Sequence, residues 1–169
     1  VILPDFGNKA NYRLGETVTF SVFDARYTEI TVTLNGRVNL QLSVSEEGIA
    51  AFSPEIPGHY EAFAVSAEGV SDCVEFCVTE ASVTTDRTEY PEGTAVKAVF
   101  SCTQADTLVG WMVKTTDHAK FLGILRSDDG TLADQVVLPA GSYYIIAHYR
   151  NRYGVYSATP SPVFHIIGK

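Results

Sequence analysis

The sequence lacks a matched set of cysteines. Its three, Cys73, Cys77 and Cys102, are an odd number and cannot complete a disulfide framework. Cys73 and Cys77 fall on one predicted strand, about 13 Å apart at strand rise, too far to bridge. No second Cys/His pair stands at ligand spacing, so no metal is expected. Basic residues are scarce, 12 against 20 acidic, for a formal net charge of -8. A nucleic-acid binder needs clustered Lys and Arg to displace counterions from phosphates, and docking on an anionic membrane needs the same, so neither partner is expected. Long apolar runs are missing. None approaches the roughly 18 residues of a membrane span, so no membrane insertion is expected, and no signal peptide is legible. The opening Val1-Ile2-Leu3-Pro4 reads as a linker end or first strand, as in a monomeric fragment of a longer chain. Helical periodicity is absent as well, since no stretch sustains apolar spacing at helix period beyond a turn.

What is present is enough to build a core. Hydrophobic residues make up 46% of the chain and charged residues 19%, which excludes a disordered tail. The apolar residues alternate. Val18, Phe20 and Val22 share one face, with Thr17, Thr19 and Ser21 on the other. Val96, Ala98, Phe100 and Cys102 repeat the pattern later in the chain. Ile30, Val32 and Leu34 alternate with Thr31 and Thr33 and run into Asn35-Gly36, a pair that tolerates positive φ and closes a tight hairpin. Val74, Phe76 and Val78 alternate with Glu75, Cys77 and Thr79. Short alternating strands punctuated by Gly, Pro, Asn and Asp predict an all-β chain built of β-sandwiches.

The chain also repeats itself. Tyr12-Arg13-Leu14-Gly15-Glu16-Thr17-Val18 recurs as Tyr90-Pro91-Glu92-Gly93-Thr94-Ala95-Val96. Glu46-Glu47-Gly48 matches Asp128-Asp129-Gly130, Pro57-Gly58-His59-Tyr60 matches Ala140-Gly141-Ser142-Tyr143, and Val74-Glu75-Phe76 matches Pro162-Val163-Phe164. The order is kept, and the offset grows only where loops lengthen. Two copies of one fold follow, over 1–80 and 81–169. Between Val74 and Glu89 there is neither Gly nor Pro, so the last strand of the first copy is expected to run almost directly into the second copy, through a short and restricted linker.

No catalytic constellation emerges. His59, His118, His148 and His165 have no counterparts between copies, and nothing marks a nucleophile, base and orienter brought together. The cysteines sit among Asp72, Glu75 and Glu80, which opposes a reactive thiolate. Ser127-Asp128-Asp129-Gly130 with Asp134 lacks the spacing of a calcium loop, and its counterpart Ser45-Glu46-Glu47-Gly48 points to a shared β-turn. No phosphate-cradling glycine loop or dinucleotide fingerprint is present, and no cofactor is expected. The segment most suggestive of binding is Tyr149-Arg150-Asn151-Arg152-Tyr153-Gly154-Val155-Tyr156, where the second copy adds two arginines and three tyrosines. Tyr and Arg dominate contact hot spots, and hairpin loops are where sandwiches carry function. Tyr149, Arg150, Asn151, Arg152, Tyr153 and Tyr156 are therefore the candidate binding residues. A structural alternative makes Tyr149 and Tyr156 cross-strand partners, with the arginines offsetting nearby carboxylates.

The Tyr-x-x-Gly-x-x-Val openings and the Gly-x-Tyr starts of late strands resemble bacterial immunoglobulin-like, fibronectin-III-like and macroglobulin-type domains, over essentially the whole chain, twice. Val109-Gly110-Trp111-Met112-Val113 resembles the third strand of such domains, whose Trp lies in the core. Tyr60 and Tyr143 resemble a tyrosine corner. Ala62 and Ile145 stand where antibody domains place a disulfide cysteine, so the resemblance favours disulfide-free bacterial relatives. It implies a non-catalytic spacer, adhesin or accessory segment of a larger secreted or cell-surface protein, with a protein or polysaccharide ligand. The alternative it leaves open is a carbohydrate-binding module that stacks the second copy's tyrosines on sugar faces.

Overall fold

Alternation in sequence becomes alternation in burial. Val18, Phe20 and Val22 are buried while Thr19 and Ser21 are half-buried on the other face. A computed structural model describes every residue except 104–106, 118–120, 126–130, 133–135 and 169. The chain divides into two compact units, Val1–Glu80 and Ala81–Lys169. Among the described residues there is no helix, and so none long and apolar enough to cross a membrane.

Unit 1 contains β1 (Ile2–Pro4), β2 (Ala10–Arg13), β3 (Val18–Val22), β4 (Glu29–Leu34), β5 (Arg37–Ser43), β6 (Ile49–Phe52), β7 (Gly58–Ser66), β8 (Gly69–Val70) and β9 (Val74–Thr79). One sheet has the order β1-β3-β6 and the other β2-β9-β7-β4-β5, with β8 beside β7. Unit 2 contains β10 (Ala81–Thr85), β11 (Glu89–Pro91), β12 (Ala98–Cys102), β13 (Thr107–Thr115), β14 (Phe121–Leu125), β15 (Thr131–Leu132), β16 (Gly141–Arg150), β17 (Tyr156–Pro160) and β18 (Phe164–Ile167). Its sheets repeat the plan as β10-β12-β15 and β11-β18-β16-β13-β14, with β17 beside β16. In both units the opening strand changes sheets. Its first half pairs antiparallel with the next strand, and its second half pairs parallel with the last, β2 with β9 and β11 with β18. Each unit is an immunoglobulin-like β-sandwich.

The change of sheets is pinned by a tyrosine. Tyr12 Oη donates to Asp5 Oδ1 at 2.6 Å and accepts Phe6 N at 3.2 Å. In unit 2 Tyr90 Oη donates to Asp86 and accepts Arg87 N at 3.1 Å. These are the tyrosines that open the two sequence repeats. The later pair behaves as the resemblance implies. Tyr60 Oη donates to the Ile56 carbonyl at 2.5 Å and Tyr143 Oη to the Pro139 carbonyl at 2.8 Å. A third device repeats without any sequence signature. Ser71 Oγ accepts Ala64 N at 2.8 Å and donates to the Asp72 carbonyl, and Ser161 Oγ accepts Ile145 N at 2.9 Å and donates to the Pro162 carbonyl. Each serine bridges the break between the last two strands of its unit, β8 and β9 or β17 and β18.

Two separate cores result. The first gathers Tyr12, Phe20, Ile30, Val32, Tyr60 and Phe76, with Tyr60 and Phe76 stacked at 5.3 Å. The second gathers Val83, Tyr90, Trp111, Tyr143, Ile145 and Phe164, and Trp111 is fully buried as its strand position predicts. Asn35 and Gly36 take φ of 50° and 85° and close the β4–β5 hairpin expected of that pair, since both central positions of such a turn need positive φ.

Candidate functional site

The hairpin joining β16 to β17 is built on one side chain. Asn151 Oδ1 accepts Tyr153 N at 2.9 Å and Val155 N at 3.0 Å, while Asn151 N donates to the Val155 carbonyl. An Asn that satisfies the backbone two and four residues on holds a loop in one shape. It is buried by that role. The equivalent β7–β8 loop of unit 1 is tighter, with Ser66 directly opposite Gly69.

The six residues singled out from the sequence separate into two groups. Arg150, Arg152 and Tyr156 are exposed, Tyr156 at 65%. Tyr153 is half-buried with the Arg152 guanidinium 5.7 Å from its ring centre. Tyr149 is fully buried and packs against Phe100 at 5.3 Å, because it shares inward parity on β16 with Tyr143, Ile145 and Ala147. Tyr149 and Asn151 are thus corrections to the expected contact set, since core packing and the turn occupy them. The expected cross-strand pairing of Tyr149 with Tyr156 is corrected too. Tyr156 lies opposite Arg150, and Tyr149 opposite Ser157. One open ring remains where a sugar platform needs two. What the arrangement offers is a guanidinium beside an exposed phenol on a rigid turn, with a second guanidinium next to it.

Its charge setting sharpens this. Unit 1 carries 4 basic and 12 acidic residues and unit 2 carries 8 of each, so the formal charge of -8 belongs to unit 1 alone. A negative ligand therefore meets no net repulsion from unit 2.

Unit 1 has its own loop cleft, of about 510 Å³, lined by Phe23, Asp24, Tyr27, Glu46, Glu47 and Gly48 among others. Arg26 bonds Asp24 at 2.7 Å and holds that carboxyl down at about 2. Phe23 is 73% exposed.

The histidines and cysteines take positions that parity alone could not fix. Ser142 Oγ lies 2.7 Å from His165 Nδ1, a hydroxyl–imidazole contact of the kind nucleophilic catalysis uses. It sits on the outer face of its sheet, with His165 exposed, so nothing excludes water from it. Cys77 is buried, Cys73 exposed and Cys102 half-buried, and none of the three is in a disulfide. Cys73 precedes its strand instead of lying on it. Burial, and then the Glu61 carboxylate 3.8 Å away, push its thiol above the ordinary value, the opposite of activation. Against the expectation of no metal, His59, Glu61 and Glu75 gather three donor atoms within 4.8 Å of one another. The His-x-Glu spacing on β7 was visible as a shared face, but the register that brings Glu75 opposite Glu61 was not. His118 and the acidic turn at 127–130 with Asp134 lie outside the described residues.

No protein-family model matches the chain, and no curated protein matches it in sequence. Solved structures share its all-β character. The fibronectin(III)-like modules of Clostridium thermocellum CbhA are 11% identical with a TM-score of 0.36, over 99% of this chain and 95% of that one. The human OSCAR ligand-binding domain is 17% identical with a TM-score of 0.38, over 98% and 96%. Murine CEACAM1b is 10% identical with a TM-score of 0.34, over 100% of both. At these identities and scores the likeness says nothing of what the chain does.

Proposed function

We propose that the chain is a non-catalytic interaction segment of a larger secreted or surface protein, and that it recognises an acidic protein ligand through Arg150, Arg152 and Tyr156. The observation that carries this reading is the cross-strand pair Arg150–Tyr156, exposed beside a turn that Asn151 fixes. A preformed turn spends little conformational entropy on binding. A guanidinium grips a carboxylate in a bidentate fork, and a phenol adds rigid area with a polar tip. The half-buried Tyr153 supports the Arg152 guanidinium. A spacer role fits the same chain, because Glu80 alone separates β9 from β10 and leaves no length for a flexible tether.

The test is binding of the 169-residue chain to arrays of acidic peptides, basic peptides and polysaccharides, beside Arg150→Ala and Tyr156→Ala. Capture on acidic peptides, weakened about tenfold or more by either variant with unchanged melting, supports the reading. A polysaccharide signal that survives both variants sinks it, as does equal capture on basic peptides.

A further inference from the structure

The outer face of the second sheet in unit 1 carries a donor set that the fold does not require. His59 and Glu61 are two apart on β7 and point the same way. Glu75 on β9 is the direct cross-strand partner of Glu61. His59 Nε2 stands 3.4 Å from Glu75 Oε1, and one donor atom from each of the three residues falls within a 4.8 Å group. Four donors at about 2.1 Å around a tetrahedral ion stand about 3.4 Å from one another. The His59–Glu75 separation already has that value, and a torsion of the half-buried Glu61 side chain brings its oxygen in. Cys73 Sγ lies 3.8 Å from Glu61 Oε2, so a soft donor borders the same spot.

Unit 2 provides the internal comparison. Tyr60 opposite Phe76 corresponds to Tyr143 opposite Phe164, and His59 opposite Cys77 to Ser142 opposite His165. Glu61 and Glu75 then correspond to Tyr144 and Val163. The same sandwich closes there with no carboxylate at either position, so neither folding nor strand pairing calls for the cluster. Two carboxylates on the unit that holds the whole net negative charge also favour a bound cation.

We propose that His59, Glu61 and Glu75 form a zinc site, with water in the fourth position, that ties β7 to β9. One imidazole and two carboxylates suit a borderline divalent ion. Calcium, which takes six to eight oxygens, finds too few.

The experiment is zinc titration of the whole chain by calorimetry, with thermal unfolding followed alongside. One zinc per chain and a raised unfolding midpoint are expected. Glu61→Gln and Glu75→Gln, which keep side-chain shape, should each weaken zinc at least about tenfold, while the metal-free variants keep the parent circular dichroism spectrum. His165→Gln and Cys73→Ser should bind as the parent does. Zinc bound equally well by both Glu→Gln variants overturns the site. So does loss of binding in Cys73→Ser, effective competition by calcium, or no zinc response at all. These outcomes are independent of the peptide arrays, since no residue is shared with the unit 2 hairpin.

Discussion

Single hydrogen bonds hold the points where this chain departs from a plain sandwich. Tyr60 and Tyr143 each tie a late strand to the carbonyl four residues back. Replacing either by Phe keeps the packing and leaves that carbonyl without its donor. Each Tyr→Phe change is expected to cost about 1 kcal/mol of stability, read as a lower denaturant midpoint with unchanged slope. The tyrosines also set an alkaline limit. Burial first, and then the hydrogen bond to Asp5, push the Tyr12 hydroxyl well above its ordinary value, and burial raises Tyr60, Tyr90 and Tyr143 as well. A raised folded pKa means the folded chain holds its proton more tightly than the unfolded chain. The resulting stability is complete below the unfolded value of about 10 and is lost as pH rises through the folded values. Denaturant midpoints taken from neutral pH upward should fall beyond about pH 10, and Tyr12→Phe should shrink the fall. Gly48 illustrates a steric constraint. With φ at 78°, a Cβ there would meet the Val22 carbonyl oxygen at 2.5 Å, on the residue whose N–H bonds the Gly48 carbonyl. Gly48→Ala should therefore destabilise by more than about 1 kcal/mol, visible as a lower melting temperature.

At the level of strands, Ser161 makes the sharpest case. It is buried at the break between β17 and β18, and its Oγ supplies the acceptor that Ile145 N would otherwise find on a continuous strand. Ser161→Ala leaves a buried N–H unpaired, at an expected cost of about 1–3 kcal/mol. Amide exchange at Ile145 should accelerate with it, and an unchanged exchange rate would refute the assignment. The sequence announced the strands because parity needs only local information. Val18, Phe20 and Val22 had to share a face, Asn35-Gly36 had to turn, and Trp111 had to go inward. It did not announce the parallel pairs β2·β9 and β11·β18, because a parallel partner lies far away in sequence and leaves no periodic mark. The candidate sites divide along the same line. Gln-free, tyrosine-rich 149–156 stood out by composition, yet the buried state of Tyr149 followed from parity with Tyr143 and Ile145, and could have been read. The meeting of Glu61 with Glu75 depended on register between distant strands, and could not.

Across the whole molecule, the two cores share no residue, and the sole tryptophan, Trp111, belongs to the second. Fluorescence from Trp111 therefore reports unit 2, while far-ultraviolet circular dichroism reports the strands of both units. Phe76 touches Tyr12, Phe20, Phe52 and Tyr60 in the first core, so Phe76→Ala removes the ring around which that aromatic group is arranged. A loss of about 3–5 kcal/mol is expected, enough to unfold most of a unit whose total stability is of the order of 5 kcal/mol. Circular dichroism should then lose much of its amplitude early in a denaturant titration, while the Trp111 transition keeps its midpoint. Coincident early transitions in both signals would mean that unit 2 does not hold its fold without unit 1, and that the cores, though built from separate residues, unfold as one.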